Sequence, residues 1–316
     1  MKPFLLAASM LAASSMAHAQ FWPPDEPVQT VNATAGRVTD ARTKTGSPGT
    51  LSASATDTGA GLGHAYSSSA WASTRIGPGV LSGSASSRFA GTGSASTSLS
   101  AYQRDTLTFQ RTDGGWDNEL VVHYNIVIAG GTSGSISPIT PPGGAGKTAG
   151  SLDWTLVHRL DDSYLTAWDS STQLGYDGSL TTTSHWNSGE MGRIYGVYSF
   201  AAAILAGSAT HLEFYMELSS TLNTLGLVTT GVLSADAPSI YWGGISQVTD
   251  WYGHRVNYQV SSASGFDYAL SAAPISTAPE PASWALLLAG AALIGSLATR
   301  RSRTSASATH SATAGR

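Results

Sequence analysis

Two glutamates four residues apart, in the run Glu213-Phe-Tyr-Met-Glu217, offer the sharpest prospect of chemistry in this chain. On a β-strand alternate residues share a face, so Glu213, Tyr215 and Glu217 would point the same way. Paired carboxylates on one face are the equipment of glycoside cleavage, one as nucleophile or base and the other as general acid. The alternative, a solvated polar strand face, is preferred, because the match is confined to these five residues. Other constellations are weaker. The eight histidines, at 18, 64, 123, 158, 185, 211, 254 and 310, include no pair at ligand spacing, and zinc needs three or four converging ligands. Asp161-Asp162, with Asp153, Asp169 and Asp177 nearby, lacks the alternating register and closing glutamate of an ordered calcium loop. Weak Ca²⁺ binding through turn carbonyls stays open beside the plainer reading of solvated turn aspartates. The run Gly143-Gly-Ala-Gly-Lys147-Thr148 has Pro141 where a phosphate loop needs its first glycine. The expectation is a chain with no catalytic residue, no resident metal and no cofactor.

Tryptophan is the other residue type with a chemical use. Eight of the nine tryptophans lie between residues 20 and 278. Flat aromatic faces stack on sugar rings while neighbouring Asp and Asn side chains fix hydroxyls, and Trp116, flanked by Asp113, Asp117 and Asn118, has that character. Trp116, Asp117 and Asn118 are therefore the candidate glycan contacts, with core packing explaining most other tryptophans.

The elements that must position these residues are strands. Asp105 to Phe109, Glu119 to Ala129 and Arg255 to Val260 are rich in β-branched and aromatic residues between turn signals. Residues 113–118, Asp-Gly-Gly-Trp-Asp-Asn, read as a hairpin loop between the first two. Residues 31–100 are dominated by Ser, Thr, Ala and Gly, with a ten-residue echo from Gly83-Ser-Ala-Ser to Gly93-Ser-Ala-Ser. The choice there is between small-residue strands, the echo placing two as antiparallel neighbours, and a disordered stalk; apolar anchors such as Trp71, Leu81 and Phe89 favour strands. Residues 130–150 read as a long Gly/Ser/Pro-rich surface loop, and two strands are expected on either side of Ala206-Gly207-Ser208. The fold class this predicts is all-β, an antiparallel two-sheet β-sandwich of jelly-roll type over residues 30–273. Within such a fold, Glu213 to Glu217 resembles the Glu-x-Asp-x-Glu strand of laminarinase-type jelly-roll glycosidases. Tyr215 stands where their aspartate belongs, which removes the group that tunes the nucleophile.

Composition bounds the function classes further. The 316 residues suffice for a real hydrophobic core, only 11% are charged, and there is no cysteine, which excludes disulfides, thiol nucleophiles and thiolate metal sites. Setting aside Lys2, Arg300, Arg301, Arg303 and Arg316 from the 16 basic residues, and Glu280 from the 20 acidic ones, leaves 11 and 19, a net charge of −8 for residues 20–278. Nucleic acid is not an expected partner of so acidic a body.

The two ends carry addresses. Residues 1–19 have a basic start, an apolar stretch from Phe4 to Ala13, and small residues at Ala17 and Ala19, so signal peptidase is expected to cut before Gln20. A Pro-rich arm, residues 20–29, would follow. Near the other end, residues 283–298 are uncharged and apolar, about 24 Å long as a helix, slightly short of a hydrocarbon core of about 30 Å. Trp284 on one flank and Arg300, Arg301 and Arg303 on the other would complete a transmembrane helix with the arginines in the cytoplasm. Directly before it stands Pro279-Glu280-Pro281.

Pro-Glu-Pro, a short apolar helix and an Arg cluster, in that order over residues 274–303, resemble the PEP-CTERM sorting domain of Gram-negative bacteria. That resemblance implies exosortase as a partner, transient anchoring in the inner membrane, and release to the cell surface or an exopolysaccharide matrix. The Asp-Thr-Leu-Thr strand, Gly-rich turn and apolar strand near residue 105 also resemble bodies attached to such tags. One departure is a Ser/Ala/Thr-rich tail, residues 304–316, expected to be disordered. The functional expectation is an exported envelope or matrix protein with a non-catalytic structural, adhesive or glycan-associating body; the alternative is a secreted glycan-active hydrolase using Glu213 and Glu217.

Overall fold

The computed structural model describes residues 26–273 except 62–63, 92, 116–117, 138–147, 162–164, 188, 192–193 and 224–228. Residues 1–19, expected as a signal peptide, the span 283–298, the Pro-Glu-Pro motif and the 304–316 tail lie outside the described residues. Among the described residues there is no helix long and apolar enough to cross a membrane.

The chain opens with a hairpin, β1 (Val28–Ala35) and β2 (Val38–Thr45), joined through Gly36 at φ +54°. β1 begins inside the stretch expected as a free Pro-rich arm. A meander follows, β3 (Gly49–Gly61), β4 (His64–Gly77) and β5 (Val80–Gly91), and then β6 (Ser94–Arg111) and β7 (Glu119–Ser137). A second meander comprises β8 (Thr148–Leu160), β9 (Thr166–Gly175), β10 (Leu180–Trp186) and β11 (Gly189–Met191). β12 (Gly196–Leu205), β13 (Ala209–Asn223), β14 (Thr229–Asp250) and β15 (Tyr258–Ser262) complete the body.

These strands form two antiparallel sheets. The larger has the order β11-β10-β9-β8-β13-β6-β1-β2, with β15 also on β6, and the smaller the order β12-β7-β14-β5-β4-β3. Three local expectations are corrected by this order. Residues 113–118 do not close a hairpin, because β6 and β7 lie in different sheets. The Gly83 and Gly93 echo likewise marks strands in opposite sheets, not hydrogen-bonded neighbours. Residues 130–137 and 148–150 are strand rather than loop, since β7 runs to Ser137 against β14 and β8 starts at Thr148. Gly and Ser there pair through the backbone, which needs no apolar side chain.

The Ser/Ala/Gly segment forms strands β1 to β6, and its composition grades the core. Ala33 and Ala35 of β1, Ala53 and Ala55 of β3, Ala70 and Ala72 of β4 and Ala85 of β5 are all buried. Around β8, β9, β12 and β14 the filling is instead Trp154, His158, Trp168, Phe200 and Trp242. Side-chain thickness sets the spacing of packed sheets, so alanine faces let the sheets close together on one side while aromatics hold them apart on the other. Gly83 of β5 shows how close: a Cβ there would stand 2.6 Å from Met216 Sδ and 3.0 Å from Leu99 Cδ1 of the opposite sheet. Buried polar groups bridge this tight part, with Ser220 Oγ donating to Ser87 Oγ at 3.1 Å and Gln29 Nε2 to Thr74 Oγ1 at 2.7 Å. Pro238, which has no N–H for a ladder, sits in β14 where the pairing register shifts between Asp236 and Ser239.

The compact unit closes at Ala273. Its last residues fold back onto the core: Tyr268 is fully buried, donates its hydroxyl to Asp105 at 2.7 Å, and accepts the Trp242 indole N–H on its carbonyl at 2.7 Å.

Candidate functional site

The outer face of the larger sheet gathers the polar groups. Neighbouring strands lie about 4.8 Å apart and same-face residues about 6.7 Å apart along each strand, so the pairing register lays side chains out in rows. One row runs Thr30, Ser100, Glu217, Thr155, Asp169 and His185, one residue from each of β1, β6, β13, β8, β9 and β10. The next runs Asn32, Ser98, Ser219, Asp153, Ser171 and Thr183. A cleft of about 540 Å³ lies over these rows, with the carboxylates of Asp153, Asp169 and Glu217, the His185 ring and seven Ser or Thr residues in its lining. Among the described residues no lysine or arginine lines it. Ionised carboxylates only accept hydrogen bonds, whereas hydroxyls both donate and accept. The arrangement suits a ligand rich in hydroxyl or ammonium donors.

Beyond the cleft the same face changes character. The adjoining row, Tyr102, Tyr215 and Val157, is aromatic and aliphatic, and the one after it is Arg104, Glu213 and Arg159. Glu213 is held between the strands on either side: Arg159 Nη2 stands 2.7 Å and its Nε 2.9 Å from Oε2, and Arg104 Nε 3.8 Å from Oε1. Tyr215 donates its hydroxyl to Glu217 Oε1, which orients that carboxylate at the end of the cleft. Burial pushes the Tyr215 phenol pKa upward, and the neighbouring Glu217 adds to the shift. Burial raises the Tyr102 phenol too, with the Glu213 charge as the next cause.

The structure thus places Glu213, Tyr215 and Glu217 on one face, while separating the two carboxylates in environment. Four residues of strand span about 13 Å between their Cα atoms, where a retaining pair needs carboxyl groups about 5–5.5 Å apart and an inverting pair about 6.5–9.5 Å. Glu213 is only 8% exposed and bound by guanidinium groups, whereas Glu217 is exposed beside the cleft. Among the described residues no group of three or more His, Asp or Glu side chains converges as a metal site. Asp153 and Asp169 enter the cleft, while Asp177 caps its own turn by accepting the Ser179 amide at 3.0 Å.

Of the candidate glycan contacts, Trp116 and Asp117 lie outside the described residues. Asn118 is exposed, and its carbonyl accepts the Ala206 amide at 2.7 Å. Trp154, Trp168 and Trp242 are core residues, the first two on the inner side of the strands that carry the cleft. Of the cleft residues, Ser98, Ser100 and Ser171 were not singled out by sequence, while Asp153 and Asp169 were weighed only as calcium ligands and His185 only as a zinc ligand. Each strand shows the polar alternation that could flag them, but their convergence depends on the order β10-β9-β8-β13-β6-β1, which skips along the chain.

Comparison with known proteins places one segment. No curated protein and no solved structure matches the chain. The family model of the PEP-CTERM protein-sorting motif matches residues 277–303, which include Pro279, Glu280, Pro281 and the arginines at 300, 301 and 303. The motif implies an exported protein that is sorted to the cell envelope and processed by exosortase, and the chain is a PEP-CTERM sorting domain-containing protein.

Proposed function

We propose that this protein is an envelope or exopolysaccharide-matrix component whose β-sandwich associates with glycan without cleaving it. The observation that carries this reading is the cleft of the larger sheet, a lattice of hydroxyls and carboxylates presented by six strands. Rigid strands are good supports for such a lattice, because each side chain is fixed by its register. With three carboxylates, no lysine or arginine in the lining, and a body of net charge −8, a polyanionic glycan would be repelled. A neutral or amino-bearing polysaccharide is the matching chemistry. In this reading the sandwich winds in jelly-roll fashion, the signal peptide is removed before Gln20, and residues 283–298 anchor the chain in the inner membrane until processing near Pro279-Glu280-Pro281 releases it.

The alternative, a secreted glycan hydrolase using Glu213 and Glu217, is favoured by their shared face and opposed by the Arg159 clamp on Glu213. One experiment separates the two. Wild-type protein and the E217A/D169A and E213Q variants are tested for retention on neutral, amino-bearing and uronic-acid polysaccharides and for release of reducing ends. Retention on the first two, lost in E217A/D169A and kept in E213Q, with no reducing ends released, is expected. Reducing-end release abolished by E213Q would establish the hydrolase, and retention untouched by E217A/D169A would remove the cleft as the site.

A further inference from the structure

The edges of the two sheets are treated unequally. An open strand edge presents unpaired N–H and C=O groups, and proteins blunt such edges with charge, proline, bulges or short length. On the β2 and β3 side the edges are guarded: β2 carries Asp40, Arg42 and Lys44, and carboxylates stitch the two sheets, Asp40 accepting the Ser54 amide at 3.0 Å and Asp57 the Arg37 amide at 3.1 Å. β11 is three residues long. β12, at the edge of the smaller sheet, has none of these devices. Its ten residues, Gly-Val-Tyr-Ser-Phe-Ala-Ala-Ala-Ile-Leu, contain no charge and no proline, and its register with β7 runs without a bulge from Gly196 to Leu205. Among the described residues no strand pairs with its other edge. Val197 is 66% and Leu205 53% exposed.

The strand is also close to a palindrome in side-chain size about Ala201. We infer that β12 joins two copies of this chain, pairing antiparallel with itself across a two-fold axis through Ala201. In that register Val197 lies opposite Leu205 of the second copy and Ser199 opposite its Ala203, both on the outer face. Tyr198 meets Ile204 and Phe200 meets Ala202 on the inner face. On the outer face large meets large at the ends and small meets small at the centre, and on the inner face the one unequal pair is Phe200 with Ala202. Sliding the pairing by two residues in either direction separates Val197 from Leu205 and leaves strand residues unmatched, and sliding by one reverses the faces. The pairing is isologous, so it closes at two copies. It uses the smaller sheet and is independent of the glycan reading of the larger one.

The absence of native cysteine makes the test direct. Opposed residues of antiparallel strands have Cα atoms about 4.5–5.5 Å apart, within the roughly 4.4–6.8 Å that a disulfide spans. The full chain carrying A201C, exported into an oxidising envelope, is expected to run as a disulfide-linked dimer. T43C, on the guarded edge, should give at least about tenfold less. V197C alone should not self-link, because its two copies would lie about 27 Å apart, whereas V197C co-expressed with L205C should link. Adding V197K and L205K to A201C sets lysine directly opposite lysine at both ends of the seam and should cut the product at least about tenfold. Absence of linkage in both A201C and the V197C with L205C pair, or linkage of T43C and V197C as strong as A201C, would overturn the inference.

Discussion

Replacing His158 with Gln tests how the aromatic half of the core responds to pH. His158 is 1% exposed on β8, within 4.9–6.4 Å ring-centroid distance of Phe200, Tyr124, Trp168 and Phe214, and its Nε2 shares a hydrogen bond with the Tyr124 hydroxyl at 2.9 Å. A proton on this ring would bury a charge, and burial pushes its pKa from 6.5 down to about 3. The folded state therefore excludes a proton that the unfolded chain takes up below pH 6.5. The contribution is fully present above that pH and is lost as pH falls towards the folded value, at about 1.4 kcal/mol per pH unit. Between pH 7.5 and pH 4.5 the loss is about 3 kcal/mol, a large part of the roughly 5–15 kcal/mol that typical domains possess. Gln keeps a polar group for Tyr124 but cannot titrate. H158Q should be less stable than wild type at pH 7.5, because it fills less of the pocket, and the gap should shrink by about 3 kcal/mol at pH 4.5. Urea unfolding followed by tryptophan fluorescence at several pH values measures that gap. Parallel stability curves for the two proteins would refute the reasoning, since they would show that the folded ring protonates as easily as the unfolded one.

Three further outcomes follow from individual contacts. R159A should cost only about 1 kcal/mol, because the arginine is 38% exposed and its pair with Glu213 is screened, and polysaccharide retention should be unchanged; both are read from urea midpoints and a binding assay. Y268F removes a donor to Asp105, which is 6% exposed, and should lower unfolding free energy by about 1.5–3 kcal/mol. G83V forces a branched side chain against Met216 and Leu99 where the sheets lie closest, and should cost about 1–3 kcal/mol by the same measurement.

What was legible in the sequence divides by range. Alternation along 119–129 announced β7, and the sorting motif at 277–303 needed only a short, ordered pattern. The face shared by Glu213, Tyr215 and Glu217 was also legible, because strand period is a local property. Partners were not. The loop at 113–118 has hairpin chemistry, yet β6 and β7 part to different sheets because each has a better neighbour, β13 and β14. Residues 130–137 have the composition of a loop and are strand because β14 supplies their hydrogen bonds from about a hundred residues away. The clamp on Glu213 was hidden for the same reason: Arg104 and Arg159 are distant in sequence and flank it only through register. Long-range pairing decides these cases, and tertiary context overrides local preference.

The position of the sorting motif fits the way the body ends. Among the described residues Tyr268 is the last large side chain that the core encloses, held by Asp105 of β6 and by the Trp242 indole of β14, and the Ala272 amide adds a bond to the Trp242 carbonyl at 2.8 Å. Asp105 accepts further bonds from the Thr106 amide at 2.8 Å and the Ser264 amide at 3.2 Å, so the latch joins the chain's end to the middle of the larger sheet. Every one of these contacts lies before Ala273, where the compact unit closes, and the family match starts at residue 277. A cut near Pro279 would leave both partners of each of these bonds on the same piece of chain. Chain order supports a division of roles, since the residues of the sorting motif and those of this latch occupy separate segments of the sequence.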